Sequence, residues 1–411
     1  MHWIQLYFFI VTSWLFIATV LTVFSSSRGF GISLLLTTFI VFGGLKLISK
    51  PYFSEMEYRD EKRDEFLSIR SSLNEDLSLN IIPSAWLTDD GRGESALVDI
   101  RYRKVIGEFF PLGSAPNIET LYCKEDEGFV RYKTDRYGFR NQDNVWDLSY
   151  HDIVILGDSF SESACVRLPM QNYFGGQKTV ISLGKGGNGP LTSLAVLTEY
   201  LSSFKSGTVF HLVVPNDYSV SSNRNIKSDL ERELLEEALQ AYLSGSESII
   251  DYFGSLDLTD LRNFSISYSV ELVMEYSMDF DFFVSYVANI FSYEFLRSHF
   301  LFALRDNYTG SQRFIFPPAS DLEEVYKSMT RLAQKHDVEL RFVILPSKYA
   351  HCATDSRHLY LKEVFLRLNV TPIDLWTTMC RKRFFADGGV HFSPLGYKTL
   401  AGHLEVATIE Q

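Results

Sequence analysis

Five short apolar runs restrict the fold of this chain more than any other feature of its sequence. Each run is continuous rather than alternating and rich in β-branched residues, and stretches with helical patterns separate most of the runs. The runs cover residues 152–156, 179–183, 208–214, 340–345 and 370–375. Continuous apolar strands are typical of a parallel sheet covered on both faces. The pattern therefore predicts a three-layer, doubly wound α/β domain with a five-stranded parallel sheet in residues 146–411.

The first fifty residues are of a different kind. Two apolar runs, residues 3–24 and 30–48, are separated by SSSRG, and each has about the 20 residues of a helix that crosses a bilayer. We expect a two-helix transmembrane hairpin at residues 1–50, because the first run lacks the basic start and the small-residue cleavage site of a signal peptide. Its sidedness stays open: Arg28 indicates a cytoplasmic hairpin loop, whereas the basic residues after the second run indicate the reverse.

Three further segments complete the predicted organisation. Residues 51–94 predict a juxtamembrane helix or linker, and residues 95–145 predict an extension of short strands and turns. A helical insertion at residues 223–335 separates the third apolar run from the fourth, and it is too long for an ordinary crossover. Its aromatic stretch, residues 252–302, either forms the insertion's own core or lines a pocket or contacts the membrane.

Charge and cysteine content exclude several kinds of function. The formal net charge is −12, with 51 acidic against 39 basic residues, so nucleic acid is not an expected partner. Cysteines occur singly, without a C-x-x-C motif, which indicates no zinc site or redox motif; we expect neither a metal nor a cofactor. They are compatible with two disulfides in an exported domain or with four buried thiols. The four are Cys123, Cys165, Cys352 and Cys380.

Polar loops that follow the apolar runs contain the candidate chemistry. Ser159, in GDSF, follows the first run, where backbone N–H groups can stabilise an oxyanion, but a serine nucleophile needs a base. His391 and Asp387, in DGGVHF, follow the last run and supply a base and an acid to orient it at the same sheet edge. Asn216, in PND, offers an oxyanion donor or, with Asp217, caps a turn.

These motifs resemble those of the SGNH (GDSL-type) hydrolase family. GDSF, the glycine-rich SLGKGGNGP, PND and DGGVH follow one another in the family's order, and the resemblance covers residues 146–220 and 335–405. FVRYKTDRYGFRNQ also resembles the lead-in of membrane-anchored bacterial members, which are often found with surface-polysaccharide genes. The resemblance implies a flavodoxin-like sheet of SGNH type. It also implies these roles: nucleophile and first oxyanion donor Ser159, further oxyanion donors Gly187 and Asn216, general base His391, orienting acid Asp387, and supporting acids Asp158 and Asp217.

One spacing departs from the family pattern. The family has D-x-x-H, whereas Asp387 and His391 are separated by three residues, Gly-Gly-Val. Two glycines can absorb the additional residue, or a backbone carbonyl can orient His391 instead. The resemblance also implies that Cys123 and Cys165 lie near one another, which favours an exported, oxidised domain.

We therefore expect a membrane-anchored bacterial serine esterase acting on O-acyl, chiefly O-acetyl, groups of a cell-surface or lipid-linked glycan. The expected location is the inner membrane, with a periplasmic catalytic domain and polysaccharide-assembly proteins as partners. An O-acyltransferase and a non-catalytic glycan-binding scaffold are the alternatives. A dinucleotide-binding oxidoreductase is a fourth reading, based on G-x-G-x-x-G at residues 184–189, but it leaves GDSF and His391 without a role.

Overall fold

The computed structural model describes most of the sheet-forming region and part of the extension that precedes it. All described residues belong to one compact unit, Arg70–Gln411. The expected hairpin at residues 1–50 and most of the linker and insertion lie outside them, and no helix in the described part is long and apolar enough to span a bilayer. The described residues are 79–80, 112–114, 116–117, 119–125, 128–163, 165–176, 178–203, 205–221, 228–234, 239, 243, 314–348, 350, 352–353, 355–387 and 389–409.

Strands and helices alternate along most of the described chain. The strands are β1 (Leu79–Asn80), β2 (Glu119–Glu125), β3 (Gly128–Lys133), β4 (Tyr150–Leu156), β5 (Val180–Ser182), β6 (Lys205–Val213), β7 (Val220–Ser221), β8 (Phe314–Ile315), β9 (Glu339–Ile344) and β10 (Ile373–Asp374). The helices are α1 (Ser159–Glu162), α2 (Pro190–Tyr200), α3 (Pro215–Tyr218), α4 (Asp229–Glu233), α5 (Ala319–Lys335), α6 (Ser356–Leu368), α7 (Trp376–Met379) and α8 (Pro394–Ala407). Short 3-10 segments lie at Asp143–Asp147, Met170–Tyr173 and Lys382–Phe384.

The main sheet has five strands, all parallel, in the order β10-β9-β6-β4-β5. Counted along the chain this is the order 2-1-3-4-5 of doubly wound folds. The prediction of an α/β fold with a five-stranded parallel sheet is confirmed. Strand β6 begins before its apolar run, because Lys205 and Ser206 pair with Tyr150 and His151 at the start of β4.

Alternate residues of the central strands enter two separate cores, one on each face of the sheet. Ile153 and Phe210 pack in the core that contains Leu400 of α8, whereas Val154 and Val209 pack in the other core. That second core also includes residues of α2, α5 and α6. Each such buried side chain stabilises the fold by about 1.5–3 kcal/mol relative to exposure. Burial of both faces explains why the apolar runs are continuous.

The order of the strands brings three loops to one crevice. Strand β4 lies between β5 and β6, so the strand order reverses there. The chain runs from β4 to β5 on one side and continues with β6 on the other side. Ligands of open α/β sheets bind beyond the carboxyl ends of the strands at such a point. Ser159 follows β4, Gly187 follows β5 and Asn216 follows β6.

The described extension before the main sheet contains a hairpin and a compact turn. Strands β2 and β3 pair antiparallel, and β1 pairs parallel with β2. Buried Asp135 organises the turn by accepting hydrogen bonds from the Phe139 amide (2.9 Å), from Asn141 (2.9 Å) and from the Trp146 indole (2.8 Å). Asn141 also bonds both backbone groups of Ser182, at 2.8 and 2.9 Å. The extension is thereby joined to the end of β5.

Disulfides occur at two places in the described domain. Cys352 and Cys380 form a disulfide between the loop before α6 and the end of α7. Cys165 is also disulfide-bonded, whereas the side chain of Cys123 lies outside the described part. Such bonds persist in oxidising compartments.

Candidate active site

Ser159 and His391 form a hydrogen-bonded pair at the crevice. Ser159 is the first residue of α1, and its Oγ lies 2.9 Å from Nε2 of His391. The imidazole packs beside the ring of Phe160, with 5.3 Å between ring centroids. A serine hydroxyl within hydrogen-bond reach of an imidazole is the arrangement of an activated nucleophile and its base.

The loop that presents His391 is held closed at its base and along its carbonyls. Phe385 and Phe392 form an antiparallel bridge, and the Ala386 amide donates to the His391 carbonyl at 2.9 Å. The ammonium group of Lys348, in the loop after β9, donates to three further carbonyls. These belong to Ala386, to Asp387 at 2.7 Å and to Gly389 at 2.7 Å. These contacts hold the backbone of the loop, and so restrict the positions that the His391 imidazole can take.

Glu125, the last residue of β2, is the acid that contacts His391. Its Oε1 lies 2.8 Å from Nδ1 of His391 and also accepts the Val390 N–H at 3.0 Å. Burial raises the pKa of Glu125, but the hydrogen bond and charge of His391 and the backbone amides of Val390 and His391 lower it below its ordinary value. The ionised carboxylate can only accept, so Nδ1 carries the proton and the Nε2 lone pair faces the Ser159 hydroxyl.

Asp387 does not contact His391, and the expectation that it orients the histidine is corrected. Its side chain is 84% exposed, and its Oδ1 lies 3.6 Å from Nζ of Lys382. With its carbonyl held by Lys348, the carboxylate projects into solvent. Sequence reasoning missed Glu125 because it lies in the separate extension. The available signal was the extra residue between Asp387 and His391, which already weakened Asp387 as the acid.

The Gly187 N–H differs from its neighbours in the glycine-rich loop, because no group of the described residues accepts its hydrogen bond. Neighbouring amides donate within the protein: Gly186 to Glu162 Oε2 at 2.7 Å, and Asn188 to the Lys185 carbonyl at 3.0 Å. Within the described part of the chain, the N–H groups of Gly187 and Ser159 have no protein acceptor. Backbone amides without a protein acceptor are suited to stabilise the charge of a tetrahedral intermediate, and one of these two belongs to the serine itself.

Asn216 lies beside Ser159 through Asp158, but its amide is engaged. Its Nδ2 donates to Asp158 Oδ2 at 3.0 Å and to Asp229 Oδ2 at 2.9 Å. Both amide hydrogens therefore point at carboxyl groups, and the expected role as third oxyanion donor is not present in this arrangement. Asp158 also accepts the Phe160 N–H at 2.9 Å, so it begins α1 as its N-cap.

The supporting acids are buried behind the serine. Burial raises the pKa of Asp158 to about 6, against the lowering effect of the Asn216 hydrogen bond. Burial, with the charges of Asp158 and Asp229, raises the pKa of Asp217 well above its ordinary value. One oxygen of Asp217 accepts the Val214 N–H at 2.9 Å, and the other has no partner in the described residues. Both observations disfavour the ionised form of Asp217.

We expect Asp217→Asn to stabilise the protein at pH 8 and to leave it nearly unchanged at pH 3. The folded state keeps the Asp217 proton at pH values where the unfolded chain has lost it, so stability falls as pH rises above about 3.8. Asparagine retains the acceptor for Val214 and cannot ionise. Thermal denaturation at both pH values measures the effect, expected as a rise of several degrees at pH 8 alone. An equal shift at both pH values would contradict this origin.

A group of three potential metal ligands coincides with the acid-histidine pair. Ligand atoms of Glu125, Cys165 and His391 lie within 4.8 Å of one another. Cys165 is disulfide-bonded, so its sulfur is no thiolate, and His391 Nδ1 already bonds Glu125 at 2.8 Å. The donor set fits a proton relay better than a divalent cation.

The start of α2, where a dinucleotide fold would hold pyrophosphate, is already occupied by a carboxylate of the protein. Glu233 accepts the N–H groups of Gly189 at 2.7 Å, Leu191 at 2.8 Å and Thr192 at 3.0 Å. A phosphate at this helix end would have to displace a buried acid. The glycine pattern at residues 184–189 thus serves close packing within the protein.

No protein-family model matches the chain, and no curated protein matches it either. The contacts that bear most directly on function are therefore those that run from Glu125 through His391 to Ser159.

Proposed function

We propose that this protein is a membrane-anchored serine esterase of SGNH type that removes O-acyl groups, chiefly O-acetyl, from a cell-surface or lipid-linked glycan. The observation that carries the proposal is the series Glu125–His391–Ser159, with contacts of 2.8 and 2.9 Å. An acid, an imidazole and a serine in this order are recognised as a triad by geometry rather than by sequence position.

The reaction follows from these contacts. Ser159 Oγ attacks the ester carbonyl carbon while His391 Nε2 takes the hydroxyl proton, and Glu125 stabilises the imidazolium that forms. The N–H groups of Ser159 and Gly187 stabilise the oxyanion. Collapse of the intermediate breaks the bond to the sugar oxygen, which receives the proton from His391. Water then attacks the acyl-serine while His391 takes its proton. The bond from the acyl carbon to Ser159 Oγ breaks, Oγ receives that proton from His391, and the carboxylic acid is released.

The apolar N-terminal runs and a disulfide support the proposed location and substrate class. The apolar runs at residues 1–50 support a bilayer anchor, and the disulfide of Cys352 with Cys380 supports a domain outside the cytoplasm. An enzyme tethered in this way meets substrates at the membrane surface, which favours an acylated glycan. Transfer to a sugar hydroxyl would use the same acyl-serine. Release of acetate from acetylated glycan, without acetylation of an added acceptor sugar, would exclude that variant.

Labelling with a fluorophosphonate tests the nucleophile. We expect the full-length protein in detergent to be labelled at Ser159, and the Ser159→Ala variant to remain unlabelled, because the probe needs a serine activated by His391. Ser320→Ala serves as the matched control and should label like the wild type. Ser320 lies at the start of α5, far along the chain from the GDSF motif. Folded wild-type protein that resists the probe would overturn the proposal.

A further inference from the structure

We propose that Glu162 is a positioning residue that fixes the direction of the Gly187 N–H and so assembles the oxyanion site. The inference rests on the proposed function and extends it to a residue outside the triad. Glu162 is the last residue of α1, the single helical turn that begins at Ser159. One short helix thus carries both the nucleophile and the group that holds the neighbouring loop.

The turn at residues 185–188 has a central peptide that can point in two directions. The Asn188 N–H donates to the Lys185 carbonyl at 3.0 Å, and Gly187 has a φ of 82°, which is the pattern of a type II turn. Type I and type II turns differ by a flip of the peptide between the second and third residues. That peptide carries the Gly187 N–H, so a flip would reverse the direction in which this donor points.

Glu162 holds this turn through the adjacent amide. Its Oε2 accepts the Gly186 N–H at 2.7 Å, and its Oε1 accepts the Tyr132 hydroxyl at 2.7 Å. Glu162 as a whole is 2% exposed, so water does not compete for these bonds. Tyr132 belongs to β3, and the extension therefore supports the glycine-rich loop through Glu162.

Packing and charge keep the glutamate in place. A Cβ on Gly184 would lie 2.2 Å from Cβ of Ser161, so the loop runs directly against α1. Burial raises the pKa of Glu162 above its ordinary value, although the Tyr132 and Gly186 hydrogen bonds and the charges of Arg140 and Lys185 act to lower it. The far end of the loop is held separately by Glu233. Between the two glutamates, the Gly187 N–H is left for a ligand.

We expect Glu162→Ala to lose stabilisation of the transition state while it binds the substrate almost as well as the wild type does. With 4-nitrophenyl acetate as substrate, kcat should fall by about 10- to 100-fold while KM changes less than about threefold. Glu162→Gln should recover most of the rate, because its amide oxygen can accept the Gly186 N–H and its NH₂ can donate to Tyr132. Glu162→Asp, which keeps the carboxyl group but is one methylene too short, should resemble Glu162→Ala.

The affinity for a trifluoromethyl ketone distinguishes a positioning role of Glu162 from a merely structural role, which would not change this affinity selectively. The ketone forms an oxyanion adduct on Ser159, so its affinity should fall in Glu162→Ala by the same factor as kcat, while the affinity for acetate stays unchanged. Equal affinity for the ketone in wild type and in both Glu162→Ala and Glu162→Asp would overturn the inference. Failure of the proposed function would be seen differently, as wild-type protein that neither turns over the ester nor is labelled at Ser159.

Discussion

Replacing Glu125 with alanine is expected to lower kcat for ester hydrolysis by roughly 10³- to 10⁴-fold. Without the carboxylate, the one remaining side-chain contact of His391 Nδ1 among the described residues is Cys165 Sγ at 3.1 Å, and sulfur is only a weak acceptor. The imidazolium formed during attack also loses its countercharge. The Nε2 lone pair then no longer faces the Ser159 hydroxyl in a single tautomer. Steady-state hydrolysis of 4-nitrophenyl acetate measures the effect.

Asp387→Ala is the matched control, because it removes the carboxylate that the sequence resemblance implied as the orienting acid. Its side chain is 84% exposed, and we expect kcat to stay within about twofold of the wild type. Glu125→Gln separates charge from shape, since it preserves size and can still accept from Nδ1, and should fall between Glu125→Ala and the wild type. A large loss in Asp387→Ala, with little change in Glu125→Ala, would restore Asp387 as the orienting acid.

The sequence predicts the sheet well because each buried strand has its own local signal. A continuous run of apolar residues is enough to predict a strand such as β4, and the adjacent GDSF motif predicts the turn that follows it. The serine and the histidine are also predictable, because each follows a strand and strand ends meet at one edge. These features depend on neighbours in the chain.

The acid of the site could not be predicted in the same way. Glu125 ends a strand outside the main sheet, and its contact with His391 spans 266 residues. No periodicity or spacing encodes such a contact, which arises only when the extension packs against the domain. The engagement of Asn216 has the same origin, because its partner Asp229 belongs to the start of the insertion. Local patterns thus located the crevice and missed what other segments bring to it.

Gly389→Ala is expected to lower kcat by roughly 10²- to 10³-fold and to leave the fold intact. The added methyl group would meet the Glu125 carboxylate that bonds His391. A Cβ on Gly389 would lie 1.8 Å from Cδ of Glu125 and 2.0 Å from its Oε1. The glutamate side chain would have to swing away, which breaks its bond to His391. Gly402→Ala is the matched control: its Cβ would meet nothing within 4 Å, and alanine inside α8 should raise stability by up to about 1 kcal/mol.

A double-mutant cycle decides whether this loss passes through Glu125. If the added methyl group acts only by displacing the carboxylate, Gly389→Ala should cost almost nothing further in a Glu125→Ala background, where the space is vacated. Additive losses would show that the methyl group instead distorts the loop that Lys348 clamps. Full activity of Gly389→Ala in the wild-type background would contradict the close approach of β2 to the histidine loop, and with it the assignment of Glu125 to the triad.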